Sequence, residues 1–257
     1  MSNNFFDYSR YYDLLYHDKD YVSEVDYIQS LISSNFSTEK CSLLELGCGT
    51  GIHAAMLAQN GYDVVGVDLS EEMLSTATLR VKNSNAFTGN VEFSIGDART
   101  YRAHRTFDVV CALFHVLSYQ TTNNDLYQML QTASVHLNKG GIFIFDFWYG
   151  PAVLFQKPTI KTKRIENDKI SVLRLAEPIL NETINTVDVN YTIFITDKDT
   201  GSLTEIQETH KMRYLFLSEI DALLKNNGFE SVVVEEWMTK KNPSINTWGV
   251  CIVAKKC

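Results

Sequence analysis

The chain has 257 residues, 45% of them hydrophobic and 21% charged, which is enough to bury a core without staples and excludes a disordered or fibrous protein. A formal charge of -8, with no Lys/Arg stripe to offset it, repels phosphate backbones, so nucleic acid is not an expected partner. The five cysteines form no CxxC pair and the first residues are polar and aromatic, which predicts reduced thiols and a cytoplasmic protein; no apolar run approaches the roughly 20 residues of a membrane span.

The first forty residues combine an aromatic-rich opening with helical spacing over Tyr21 to Ile32. From Ser42 to Phe147 short apolar runs alternate with helical patterns, which predicts βαβ units and a parallel sheet. Strands are expected at Leu43 to Leu46, Val64 to Val67, Val91 to Ser94, Val109 to Leu113 and Ile142 to Phe147. The intervening helices fall at Gly51 to Asn60, Ser70 to Lys82 and Asp125 to Leu137, with Gly61, Gly140 and Gly141 at helix stops.

After Pro151 the texture changes. Thr159 to Tyr214 alternates polar and apolar residues between turn signals, which predicts three or four antiparallel strands, and the basic stretch Lys157 to Lys169 reads as the solvated face of a hairpin. A helix from Ser218 to Asn226, capped by Gly228, and strands at Ser231 to Trp237 and Trp248 to Ala254 restore the α/β pattern. The expected fold class is α/β: a Rossmann-like, doubly wound, mostly parallel seven-stranded sheet from residues 1–150 and 215–257, with residues 151–214 inserted as a small antiparallel β lid.

Three alternating glycines follow the first strand, in Glu45-Leu46-Gly47-Cys48-Gly49-Thr50-Gly51. Glycines permit positive φ and let a ligand lie against the backbone. The spacing is GxGxG, whereas dinucleotide loops read GxGxxG and seat a pyrophosphate on the helix N-terminus. Glu45, just ahead of the glycines, suits a cationic amino group better than a phosphate. Asp68 ends the second strand, where a carboxylate accepts both ribose hydroxyls, with Leu69 and Met73 flanking an adenine. Asp97, followed by Ala98, stands at the same sheet edge after the third strand, within reach of the adenine amino group. These details favour S-adenosylmethionine over NAD.

With those motifs and Phe107-Asp108-Val109-Val110, the sequence resembles the class I S-adenosylmethionine-dependent methyltransferases over almost its whole length. The resemblance implies Gly47, Gly49 and Gly51 under the methionine portion, Asp68 on the ribose and Asp97 near the adenine. A narrower resemblance rests on Tyr12-Asp13-Leu14-Leu15-Tyr16, Lys19-Asp20-Tyr21, Gly51-Ile52-His53, Trp148 and the β insertion. These look like the nucleotide-linked 3-amino-sugar N-methyltransferases and, more distantly, glycine N-methyltransferase. The likeness implies Tyr16 near the acceptor amine and Tyr21 near the cofactor carboxylate. Phe114-His115-Val116-Leu117-Ser118-Tyr119 departs from the small-residue turn of the amino-sugar enzymes.

The acceptor site is expected over the same strand ends, with the lid contributing to it. Tyr16 and His115 are the candidate catalytic residues, and Tyr12, Tyr119, Trp148 and Arg213 the candidate substrate-binding ones. Packing by Tyr16 and helix capping by His115 are the competing readings. His and Cys fall at no zinc-ligand spacing, so no metal is expected. The expected partner is a small-molecule acceptor, with no nucleic acid and no membrane, and a homodimer is left open. The expected activity is methyl transfer to the amine of an amino sugar or similar metabolite. The other readings are a small-molecule O- or C-methyltransferase using His115 as base, and a non-catalytic S-adenosylmethionine-binding protein.

Overall fold

The computed structural model describes residues 11–36, 41–84 and 87–257; the aromatic-rich opening at residues 1–10 lies outside them. A short helical stretch at residues 11–15 leads into α1 (Tyr21–Asn35), started by Asp20, whose side chain accepts the Ser23 N–H. There follow β1 (Ser42–Leu46), α2 (Ile52–Gln59), β2 (Asp63–Asp68), α3 (Glu71–Lys82), β3 (Asn90–Ile95), β4 (Phe107–Ala112), a 3-10 turn (Val116–Tyr119), α4 (Asn123–His136) and β5 (Leu137–Tyr149). Then come α5 (Gly150–Gln156), β6 (Lys161–Glu166), β7 (Ile170–Asn181), β8 (Thr186–Asp197), β9 (Leu203–Leu215), α6 (Leu217–Asn226), β10 (Phe229–Glu236) and β11 (Gly249–Lys256).

Seven strands form the central sheet in the order β3-β2-β1-β4-β5-β11-β10, and β11 alone runs against its neighbours. Strand alternation explains the two layers of helices. Leu44, Leu46, Val110 and Ala112 face α4 and α6 in one core, whereas Leu43, Val109 and Cys111 face α1 and α2 in the other. A sheet buried on both faces needs near-continuous apolar strands, which is why these runs are legible in sequence.

β6 to β9 form an antiparallel sheet of consecutive hairpins. It joins the central sheet where β9 runs beside the end of β5, at Trp148 with Tyr214 and Tyr149 with Leu215. One face of this sheet carries Val172 and Ile193, onto which Tyr11 and Leu15 of the N-terminal stretch pack. Two features exceed the sequence expectation. α5, with Pro151 in its first turn, was not anticipated, and β5 begins at Leu137, directly after α4, and ends at Tyr149.

Arg213 corrects an expectation. Alternation along β9 turns Met212 to the inner face and Arg213 to the opposite one. There the buried guanidinium donates to Asn123 Oδ1 at 2.7 Å and pairs with Glu219, tying β9 to the starts of α4 and α6. It does not line the cavity over the strand ends, so its role is structural rather than substrate-binding. Replacing Arg213 with Met should lower the unfolding free energy by about 2 kcal/mol, the scale of hydrogen bonds to a charged group. Urea denaturation measures this, and an unchanged midpoint would refute the role.

Candidate active site

β1 and β4 are adjacent, yet the chain leaves β1 towards β2 on one side and β4 towards β5 on the other. At such a switch point the helices diverge and a crevice opens beyond the strand C-termini. A cavity of about 580 Å³ lies there, lined by the β1–α2 loop, the tips of β2 to β5, the N-terminal segment and the inner face of β7 to β9.

The three glycines of the loop have different causes. All have positive φ, at +74, +54 and +69° for Gly47, Gly49 and Gly51. A Cβ on Gly47 would lie 2.6 Å from Val116 Cγ2, and one on Gly51 would lie 2.7 Å from Ala77 Cβ and Phe93 Cζ. A Cβ on Gly49 would meet nothing within 4 Å. Gly47 and Gly51 are therefore demanded by packing, and Gly51 is not part of the cavity wall, whereas Gly49 borders open space that a ligand can fill.

Asp68 holds the loop in place by accepting the Gly49 N–H at 2.8 Å and the Ser70 N–H at 2.9 Å, which leaves further lone pairs on both oxygens. Leu69 is 66% exposed at the rim, and Met73 is buried beneath it; both line the cavity, as do Asp97 and Ala98. Asp97 is gripped by the Arg99 guanidinium, whose hydrogen bonds hold its carboxyl below the usual carboxylate range. Tyr21 also borders the cavity, and burial raises its phenol well above its ordinary value.

Glu45 carries the test of whether the site fits S-adenosylmethionine. It is 2% exposed, and its Oε2 has no hydrogen-bond partner among the described residues. A buried carboxylate oxygen without a donor is costly, and an ammonium group arriving in the cavity supplies one. The loop backbone at Gly49 and the acids Asp68 and Asp97 complete a donor and acceptor set suited to an amino acid joined to a nucleoside. The residues fit the cofactor.

The other half of the cavity is aromatic. Tyr12 and Tyr16 lie 4.8 Å apart, Tyr16 meets Phe114 edge to face at 5.1 Å, and Trp148 meets His115 at 6.2 Å. Phe114 and His115 both adopt left-handed backbone, at φ +64 and +65°, a strained pairing for non-glycine residues that persists only when the surroundings impose it. Asp146 imposes it here. The carboxylate is 1% exposed on β5, accepts the His115 backbone N–H at 3.1 Å through both oxygens, and places Oδ2 2.6 Å from His115 Nδ1. Tyr119 donates to or accepts from His210 Nδ1 at 2.8 Å.

Sequence reasoning missed Asp146, Arg174, Tyr191, Glu208 and His53, which also line the cavity or, for Asp146, fix its lining. Asp146 was within reach, being an acid at the tip of an apolar strand like Asp68. Arg174 and Glu208 are charged residues on the apolar face of their strands, a signal that appears once the strand register is known.

Residues 43–141 match the family model of a methyltransferase domain. The dTDP-3-amino-3,4,6-trideoxy-alpha-D-glucopyranose N,N-dimethyltransferase of Streptomyces venezuelae is 28% identical over 189 residues, 73% of this chain and 76% of its own. Among solved structures, an S-adenosylmethionine-dependent methyltransferase from Clostridium acetobutylicum ATCC 824 shares the fold with a TM-score of 0.83 at 23% identity over 99% of both chains. Streptomyces venezuelae DesVI does so with a TM-score of 0.80 at 23% identity, over 96% of this chain and 97% of its own.

Sheet order, glycine loop and strand-tip acids agree with the resemblance to the class I S-adenosylmethionine-dependent methyltransferases. The chain is an S-adenosylmethionine-dependent methyltransferase, with S-adenosylmethionine as its cofactor, and it resembles the amino-sugar N-methyltransferases. Among the described residues, no helix is long and apolar enough to cross a membrane.

Asp68→Ala should weaken S-adenosylhomocysteine binding by about 1.5 to 3 kcal/mol, the cost of losing hydrogen bonds to a charged acceptor. Titration calorimetry measures it, and an unchanged affinity would move the ribose contact elsewhere. The glycines separate in the same assay: Gly51→Ala should lower the melting temperature through its clash with Ala77, whereas Gly49→Ala should lower affinity more than stability.

Proposed function

We propose that the acceptor is the amine of an amino sugar or a similar small metabolite, and that β6 to β9 act as a lid over it. The observation that carries this reading is the aromatic chamber beside the cofactor half, which Tyr12, Tyr16, Phe114 and Trp148 line together with Tyr191 of the inserted sheet. Relatives whose names specify amino-sugar N,N-dimethylation, at 25 to 28% identity, support it.

The cofactor supplies an electrophilic methyl on a sulfonium, whose charge spreads onto a neutral nitrogen in the transition state, so a dry site favours transfer. The aromatic walls exclude water and orient the acceptor. Tyr16 offers a phenol to the amine, and it is itself positioned by Arg174, whose Nη1 donates to the Tyr16 hydroxyl at 3.3 Å. His115 takes up the amine proton at Nε2, since Nδ1 faces Asp146. Arg174 lies over the Tyr191 ring at 4.9 Å and pairs with no acidic side chain among the described residues. It is the group on the lid suited to a phosphate or carboxylate elsewhere on the acceptor.

The His115–Asp146 pair also favours a second reading, base-assisted O-methylation, and the two are separable. For amine transfer, which depends on positioning, Tyr16→Phe and His115→Asn should each lower turnover about tenfold, short of the 10² to 10⁴ typical of general acid-base catalysis. The assay is transfer of labelled methyl to a panel of amines and alcohols that includes nucleotide-linked amino sugars. A thousandfold loss at His115 on the accepted substrate would select O-methylation instead. Arg174→Gln should raise KM for an anionic acceptor about tenfold while leaving cofactor affinity unchanged, and equal KM values would remove the arginine from acceptor recognition.

A further inference from the structure

Behind Glu45 lies a chain of buried titratable groups that methyl transfer does not use. Alternation along β1 turns Glu45 to the side of α1 and α2, with Leu43. His53, in the first turn of α2, places Nδ1 3.8 Å from Glu45 Oε1, and its Nε2 is 2.8 Å from Glu24 Oε2 in the first turn of α1. The same Glu24 oxygen meets Lys19 Nζ at 2.7 Å. Glu24, Glu45 and His53 are all buried. The remaining groups facing Glu45 are Asp68 from β2, the Cys48 thiol of the glycine loop, the Cys111 thiol of β4 and the Ala54 backbone N–H of α2.

Burial pushes the Glu45 carboxyl up to about 7, with Asp68 adding to the rise and His53 and Lys19 opposing it. Burial alone would also raise Glu24, but the His53 hydrogen bond and Lys19 outweigh it and hold this carboxyl below its ordinary value. Both cysteines are pushed up by burial and stay uncharged. Below neutral pH, the group that must receive an ammonium is thus largely protonated, while an ionised carboxylate waits on the far side of an imidazole.

We propose that His53 and Glu24 are positioning residues that hold a proton for Glu45: when the cofactor's ammonium reaches Glu45 Oε2, Oε1 closes from 3.8 Å to hydrogen-bonding distance of His53 Nδ1 and its proton passes to that nitrogen. The O–H bond of Glu45 breaks, the N–H bond of His53 forms, and no proton leaves the protein. The imidazolium then lies between two carboxylates, bonded to Glu24 through Nε2, and the ammonium faces a full negative charge. Without the imidazole the proton must go to solvent, and cofactor affinity then falls as pH drops below the Glu45 value. The relay rests on the cofactor assignment and not on the identity of the acceptor.

Calorimetric titration with S-adenosylhomocysteine near pH 6, in two buffers of different ionisation enthalpy, counts the protons released. The native protein should release close to none and bind with little change in affinity between pH 7 and 6. His53→Asn and Glu24→Gln should each release about one proton per site and lose affinity about tenfold per pH unit. Glu45→Gln should release none at any pH. If His53→Asn fails to fold, Glu24→Gln carries the test, because the amide retains an acceptor for His53 without the charge. Release of about one proton by the native protein, or equal counts in native and both variants, would overturn the relay. A merely structural role for His53 lowers affinity without changing the proton count, which also rejects it.

Discussion

The molecule depends on the parallel sheet reversing its winding between β1 and β4. Helices cover both faces of the sheet, yet at this point they part and leave the C-terminal edge open. The acids of the central sheet stand on that edge because strands end there. Glu45 lies one residue before the end of β1, Asp68 closes β2, and Asp97, His115 and Asp146 lie towards the ends of β3, β4 and β5.

Four carboxylates on one edge would repel each other if all were solvated alike. The protein separates them by partner. Asp97 faces a guanidinium, Asp68 faces backbone N–H groups, Asp146 is committed to the backbone and ring of His115, and Glu45 is left with a bare oxygen. Environment rather than residue type thus assigns the roles. The bare oxygen is the one free to receive a cation, and the strain at Phe114 and His115 is held by the carboxylate that accepts the His115 backbone N–H.

The second sheet gives the cavity its outer wall. Its hairpins pair over long stretches, so the face of each strand is set by register and the inner face is shared by Arg174, Tyr191, Glu208 and Met212. The N-terminal stretch seals the remaining side through Tyr11 and Leu15. The hydrogen bond from Tyr11 to Glu208, at 2.9 Å, joins residues 197 positions apart. Such contacts make the chamber a tertiary object, with no counterpart in any single segment.

Much of the fold was legible in sequence because local rules wrote it. Apolar runs of four to six residues can only be buried strands here, glycine spacing marks the loop after β1, and Asp68 and Asp97 follow from their place at strand tips. What the sequence could not decide is which way a side chain turns on the inserted strands, or which distant group it meets. Arg213 and Met212 are neighbours on β9, and alternation sends one to a structural pair with Glu219 and the other to the cavity. Gly49 and Gly51 look alike in sequence, but only the folded chain sets Ala77 and Phe93 against Gly51 and leaves Gly49 open. The links from Glu45 to His53 and Glu24 span three elements, and those from His115 to Asp146 join the loop after β4 to β5. Local propensity and periodicity act over a few residues, so the sequence determined the elements and the cofactor loop, whereas contacts between elements, fixed only by packing, decided the aromatic chamber and the partner of each charge.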